Sequence, residues 1–183
     1  MNFIAIILTL GQIIFPDGSV QTTAYQNPEV VILGDSTVMC WTCGYGPDTG
    51  YVYNKHENGG TAANVVTFID WASENGNFLW VNAGIHDANK GTPLDVYADN
   101  VREIIMSARR KNMQVVWCTT LELQIVDVSP YNEVATSIMY ELNVPVYDIN
   151  RLDIEISFDN YHMTPKSTAH VGSKIRDWIE ENV

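Results

Sequence analysis

The chain has 183 residues, 46% of them hydrophobic, enough for one core and short for two domains of ordinary size. Its formal net charge of −12 and pI near 4.5 set the surface against phosphate backbones and anionic membrane faces, so no nucleic acid partner is expected. No run reaches the roughly 18 apolar residues of a membrane span, so no membrane partner is expected either.

In chain order, residues 1–10 are apolar but carry no Lys or Arg. They lack the positive n-region and small-residue cleavage site of a signal peptide. Residues 11–25 have hairpin chemistry, two β-prone runs about the turn Pro16-Asp17-Gly18. Residues 1–27 are therefore read as a leader, hairpin or disordered, and 28–183 as one domain. Beyond the leader, apolar runs at 29–33, 51–55, 78–82, 114–119 and 144–148 read as strands. Helical spacing is expected over 61–74, 94–111, 131–142 and 168–181. In the second helix Val96, Val101, Ile104, Ile105 and Ala108 are expected to form one stripe, while Arg102, Glu103 and Arg109 face away. Near-continuous apolar runs, such as those holding Trp80, Val116 and Trp117, suit strands covered on both faces. The alternation implies a three-layer α/β/α domain with a parallel sheet and right-handed crossovers.

Within this frame Ser36 follows the first core strand immediately after the break at Gly34. A turn at the carboxyl end of a first parallel strand is where an α/β fold exposes a nucleophile. Far along the chain, Asp159 and His162 lie three residues apart. A serine hydroxyl is a weak nucleophile until a histidine takes its proton, and that imidazole needs a carboxylate to fix its tautomer. Ser36, His162 and Asp159 are the candidate catalytic residues. His56 lacks a carboxylate three residues earlier, and His170 lies inside an expected helix. Asp35 is expected to point off the far side of the turn and tie down backbone N–H groups, and Asp87 to cap a loop. Cys40 and Cys43 make a lone C-x-x-C without the second pair that a metal site needs. Buried thiols or a local disulfide suffice there, Cys118 reads as core, and no metal or cofactor is expected.

Four segments resemble the blocks of the SGNH hydrolases, the GDSL esterase/lipase family, in order and over residues 29–183. Gly34-Asp35-Ser36-Thr37 is similar to the nucleophile block and Asp159-Asn160-Tyr161-His162 to the Asp-x-x-His block. The segment from Asn54 to Thr61 resembles the second block, whose glycine supplies an oxyanion N–H. Gly84-Ile85-His86-Asp87 stands where the family has Gly-x-Asn-Asp, with His86 in place of the Asn. The resemblance implies a flavodoxin-like five-stranded sheet in the order 2-1-3-4-5. It also implies an oxyanion hole from the N–H groups of Ser36 and Gly59 and the side chain of His86. Residues 11–25 resemble a short segment recurrent in phage tail-fibre proteins.

The expected activity is serine-dependent ester hydrolysis, with an acetylated glycan as substrate. Aromatics near the crevice, Trp41, Tyr45, Tyr51 and Tyr161, suit the C–H face of a sugar, and a fibre-like leader suits an enzyme acting on surface glycans. Extracellular or virion-associated location is favoured over cytoplasmic, with oligomerisation through the leader. A non-catalytic glycan-binding or structural module of a fibre is the competing reading, and a thioesterase or small-ester hydrolase a lesser one.

Overall fold

A computed structural model of the chain describes residues 8–9, 12–14, 20–21, 29–38, 41 and 52–182. Three short strands come first: β1 (Leu8–Thr9), β2 (Gln12–Ile14) and β3 (Val20–Gln21). They pair antiparallel in chain order, with Ile14 opposite Val20.

The other five strands form one parallel sheet. They are β4 (Val30–Asp35), β5 (Val52–Glu57), β6 (Phe78–Val81), β7 (Gln114–Cys118) and β8 (Val146–Tyr147). Their order is β5-β4-β6-β7-β8, which is the 2-1-3-4-5 order counted from β4. The crossovers are α1 (Ala62–Val66), α2 (Ile69–Asn75), α3 (Ile85–Lys90), α4 (Leu94–Arg110) and α5 (Ser129–Leu142), and α6 (Pro165–Asn182) ends the chain.

Period-two alternation sorts the strand residues into two cores. Val31, Leu33, Leu79, Val81, Val115 and Trp117 face the layer of α1, α2, α4 and α5. Val30, Ile32, Phe78, Trp80, Val116 and Cys118 face the other way, toward Val171, Ile175 and Ile179 of α6. Covering both faces explains why these strands read as unbroken apolar runs. No described helix is long and apolar enough to cross a membrane.

The elements differ from the sequence reading in several places, and on α4 Val96, expected on the buried stripe, is 46% exposed while Tyr97 takes its place in the core. The helix expected over 61–74 is split at Thr67 and Phe68, whose N–H groups bond back three residues to Asn64 and Val65. The Thr67 hydroxyl also donates to the Asn64 carbonyl at 2.7 Å, competing with the helical ladder. α3 has no signature in the sequence, because six residues are too few to show a period. α6 starts at Pro165, earlier than expected. The Thr164 hydroxyl accepts the Ser167 N–H at 3.3 Å, with proline in the first turn. The strand expected over 144–148 shrinks to Val146–Tyr147 because Asp148 caps the 3₁₀ turn Ile149–Arg151, accepting the Asn150 N–H.

Candidate active site

A parallel sheet sends the carboxyl ends of its strands to one edge, and the four motif-bearing loops leave from there. β4 ends at Asp35, and Ser36 opens a 3₁₀ turn, Ser36–Val38, that folds back over the strand. Gly34 permits that approach. A Cβ there would stand 2.6 Å from a Val38 methyl and 3.0 Å from the Asn82 carbonyl oxygen. Asp35 is fully buried, and its Oδ1 accepts the Thr37 N–H at 2.8 Å. Burial pushes this carboxyl above its ordinary range, against the hydrogen bonds from Thr37 and the nearby imidazoles of His86 and His162. The Asn54 amide of β5 fastens the turn by donating to the Val38 carbonyl at 2.7 Å. Ser36 is held in place with 9% of its surface exposed.

His162 arrives on a small closed loop between β8 and α6. Ile156 bridges Met163, Ser157 donates its N–H to the His162 carbonyl at 2.7 Å, and Asn160 donates to Ser157 at 3.0 Å. Asn160 takes φ of 59°, a left-handed conformation that asparagine tolerates, and the reversal brings Asp159 beside His162. Asp159 Oδ1 accepts the N–H groups of Tyr161 and His162, each at 2.9 Å, while Oδ2 lies 2.7 Å from His162 Nδ1. These bonds, the one to the imidazole first, hold the Asp159 carboxyl down at about 2. An ionised carboxylate only accepts, so the proton of this pair sits on Nδ1. In the neutral form of the ring Nε2 is then the bare nitrogen, and it faces Ser36 Oγ at 2.9 Å. The three residues singled out from sequence thus meet in one hydrogen-bonded relay, across 126 residues of chain between Ser36 and His162.

α3 organises the other side. Gly84 precedes it with φ of 143° and no room for a side chain, since a Cβ would stand 2.8 Å from Thr120 Oγ1. Asp87 Oδ2 accepts the Ala62 N–H at the start of α1 at 2.8 Å, the loop-capping role expected of it. Lys90 donates to the Gly59 carbonyl at 2.7 Å. One short helix therefore carries His86, holds the glycine loop through Lys90 and holds the start of α1 through Asp87. Within that loop Gly60 gives its N–H to the Glu57 carbonyl at 2.9 Å. This leaves Gly59, at φ of 72°, as the glycine whose N–H the turn can present. His86 is half-buried, and burial lowers its pKa against the pull of Asp35, so the imidazole is neutral near pH 7. Its two ring nitrogens lie 3.1 and 3.2 Å from the Tyr161 hydroxyl.

Not every expected residue reaches the crevice. Trp41 is 1% exposed and belongs to the core layer with Ile32, Val38 and Trp80, so its ring face is not available to a sugar. That corrects its assignment as a substrate contact. Tyr45, Tyr51, Cys40 and Cys43 lie outside the described residues. His56 has the Asn54 side-chain oxygen 3.3 Å from its Nδ1, and His170 is on α6. Cys118 is a free, buried thiol whose pKa burial drives far up, which makes it core rather than nucleophile. Two residues escaped the sequence reading. Lys90 sits in a helix too short to show a period. Phe158, 98% exposed directly before Asp159, has no sequence signal that separates a solvent-exposed ring from a core one.

No family model matches the chain, and no curated protein does. Solved structures do. A lipolytic protein of the G-D-S-L family from Desulfitobacterium hafniense superposes with a TM-score of 0.70 at 18% identity, over 82% of this chain and 98% of that one. A carbohydrate acetylesterase from Sinorhizobium meliloti gives 0.71 at 11% identity, over 84% and 99%. A psychrotrophic esterase from Pseudoalteromonas gives 0.68 at 16% identity, over 83% and 96%. Likeness at such low identity speaks for architecture. With its sheet order and helical layers, this chain has the α/β fold of the SGNH hydrolases.

Proposed function

We propose that this protein is a serine esterase that removes acetyl groups from carbohydrate. The observation that carries the reading is the relay itself, with Ser36 Oγ 2.9 Å from a bare His162 Nε2 whose other nitrogen is pinned to an ionised Asp159. His162 takes the hydroxyl proton as Ser36 Oγ bonds to the ester carbonyl carbon, and the carbonyl electron pair moves onto oxygen. The N–H groups of Ser36 and Gly59 and the His86 ring receive that oxyanion. Collapse breaks the bond to the sugar oxygen, which leaves with the proton from His162. Water, deprotonated by the same imidazole, then releases acetate and restores Ser36. Asp159 stays ionised throughout and stabilises the imidazolium. Fold likeness to proteins described as esterases and as a carbohydrate acetylesterase supports this class of reaction. The test is acetate release from a small acetyl ester and from acetylated xylan or acetylated sialic acid. Glycan binding without turnover would favour the non-catalytic module instead.

The sugar-facing role passes from Trp41 to Phe158. A large ring left 98% exposed beside the triad carboxylate offers a flat apolar face where a sugar would enter. Phe158→Ala is expected to raise KM for the acetylated glycan about tenfold, the value of one aromatic contact, while leaving p-nitrophenyl acetate turnover within about twofold. Equal effects on both substrates would take Phe158 out of sugar recognition.

Residues 1–27 are read as an assembly element of an extracellular or virion-associated protein. The support is the fibre-like sequence of 11–25 and the antiparallel pairing of β1, β2 and β3. Deleting 1–27 is expected to preserve turnover per site and to lower the mass of the particle in light scattering. Loss of activity in a folded truncation would make the leader part of the site.

A further inference from the structure

The edge of the sheet that carries the relay also holds an open groove of about 670 Å³. Thr119, directly after β7, and Asp148, directly after β8, line its floor. β7 stands two strands from β4, so the groove starts about 10 Å from the strand that leads into Ser36. One wall is the first two turns of α5, where Ser129, Asn132, Glu133 and Thr136 share a face. The other is the 3₁₀ turn with Asn150 and Arg151. The two amides are spent on holding the floor. Asn132 accepts the Thr120 N–H and donates to the Thr120 carbonyl, each at 2.8 Å. Asn150 accepts the Glu122 N–H at 2.8 Å and donates to the Thr120 carbonyl at 3.1 Å. The Thr120 hydroxyl donates in turn to the Ala83 carbonyl at 3.0 Å, just before Gly84 and α3, so the floor is continuous with the wall of the active site. By contrast, the side chains of Glu122, Ser129, Glu133 and Thr136 line the groove and hold no hydrogen bond within the described residues. A carboxylate can accept from two hydroxyls, and a Ser or Thr hydroxyl can both donate and accept. Those are the groups that sugar hydroxyls need.

Charge narrows the ligand. Arg151 is paired with Asp148 at 3.2 Å, which leaves Glu122 and Glu133 as two carboxylates with no ion pair among the described residues. A sugar that carries its own carboxylate would meet like charge there. We propose that this groove is a distal subsite for an uncharged glycan chain, gripping sugars beyond the one whose acetyl ester lies at Ser36. The inference rests on the esterase reading for where the ester sits, and it deepens that reading. The substrate is an acetylated neutral oligosaccharide or polysaccharide, not a sialate, and a single acetylated sugar is too short to reach the groove.

Rates on acetylated xylose and on acetylated xylo-oligosaccharides of increasing length test this. From the single sugar to the tetramer kcat/KM is expected to rise about tenfold, the effect of one hydrogen bond to a charged acceptor. Glu133→Ala is expected to raise KM for the tetramer about tenfold with kcat little changed, and to move KM for the single sugar less than about twofold. A flat length series would overturn the proposal. So would a rise with length that Glu122→Ala and Glu133→Ala both leave intact. A tetramer bearing a glucuronate should be the poorer substrate, and the double variant Glu122→Lys/Glu133→Lys should reverse that order. An order unchanged in the double variant would overturn the selection by charge. Amide shifts of Thr119, Glu133 and Thr136 on adding unacetylated xylotetraose read the groove without turnover. Shifts at these residues that Glu133→Ala suppresses, in a native protein that hydrolyses no acetyl ester, would fail the esterase reading and leave the subsite standing. Ester hydrolysis with no such shifts would do the reverse.

Discussion

Replacing Ser36 with alanine is expected to abolish nearly all ester turnover, by about 10⁴–10⁶-fold, the range found when one member of a hydrolytic relay is removed. The hydroxyl has its hydrogen bond to His162 Nε2, so the variant should fold and melt close to the native temperature. His162→Ala should cost as much, because it leaves Ser36 with no group to take its proton. The informative variant is the double. If the two residues act as one unit, Ser36→Ala/His162→Ala loses no more than either single substitution. Losses that multiply would mean that the two side chains contribute independently, and the 2.9 Å contact would not be a catalytic one. Initial rates on p-nitrophenyl acetate near pH 8, with circular dichroism as the control for folding, decide the matter.

The second large effect is expected at His86. Its imidazole is half-buried, with its pKa lowered by that burial, sits on α3, and is joined through that helix to the Gly59 loop by Lys90 and to the start of α1 by Asp87. His86→Ala should lower kcat by about 10²–10³, as loss of one preorganised oxyanion donor does. His86→Asn should retain much of the native rate, since an amide N–H can fill the same place. Native activity in His86→Ala would reduce the oxyanion hole to its two backbone donors. A His86→Asn variant as inactive as His162→Ala would mean that imidazole chemistry is required here, and the roles would need reassignment.

The sheet and the relay were legible because their signals are local in type even when distant in sequence. The run Val30–Leu33 ending at Gly34 carries strand, turn and the serine of the relay within seven residues, up to Ser36. Asp159 and His162 share one closed loop, so their spacing alone brings them together. What stayed hidden depends on tertiary context. Trp41 reads equally as a sugar platform or as core, and only the packing of the 3₁₀ turn onto β4 decides for core. Phe158 shows the converse, an apolar residue after the alternating Leu152, Ile154 and Ile156 that stands in solvent beside the reversal at Asn160. α3 holds six residues, too few for a helical period, and its grip on the glycine loop is a set of long-range hydrogen bonds that no spacing encodes. The split between α1 and α2 likewise comes from one threonine hydroxyl at Thr67.

The central claim is that Ser36 is a nucleophile activated by His162. Treatment with a fluorophosphonate, followed by peptide mass mapping, tests it most directly. The probe leaves a stable adduct only on a serine whose proton has been taken by a positioned base. One adduct per chain is expected, located on Ser36, with labelling reduced by orders of magnitude in His162→Ala. An adduct on another residue, or none on a folded native protein, would contradict the account.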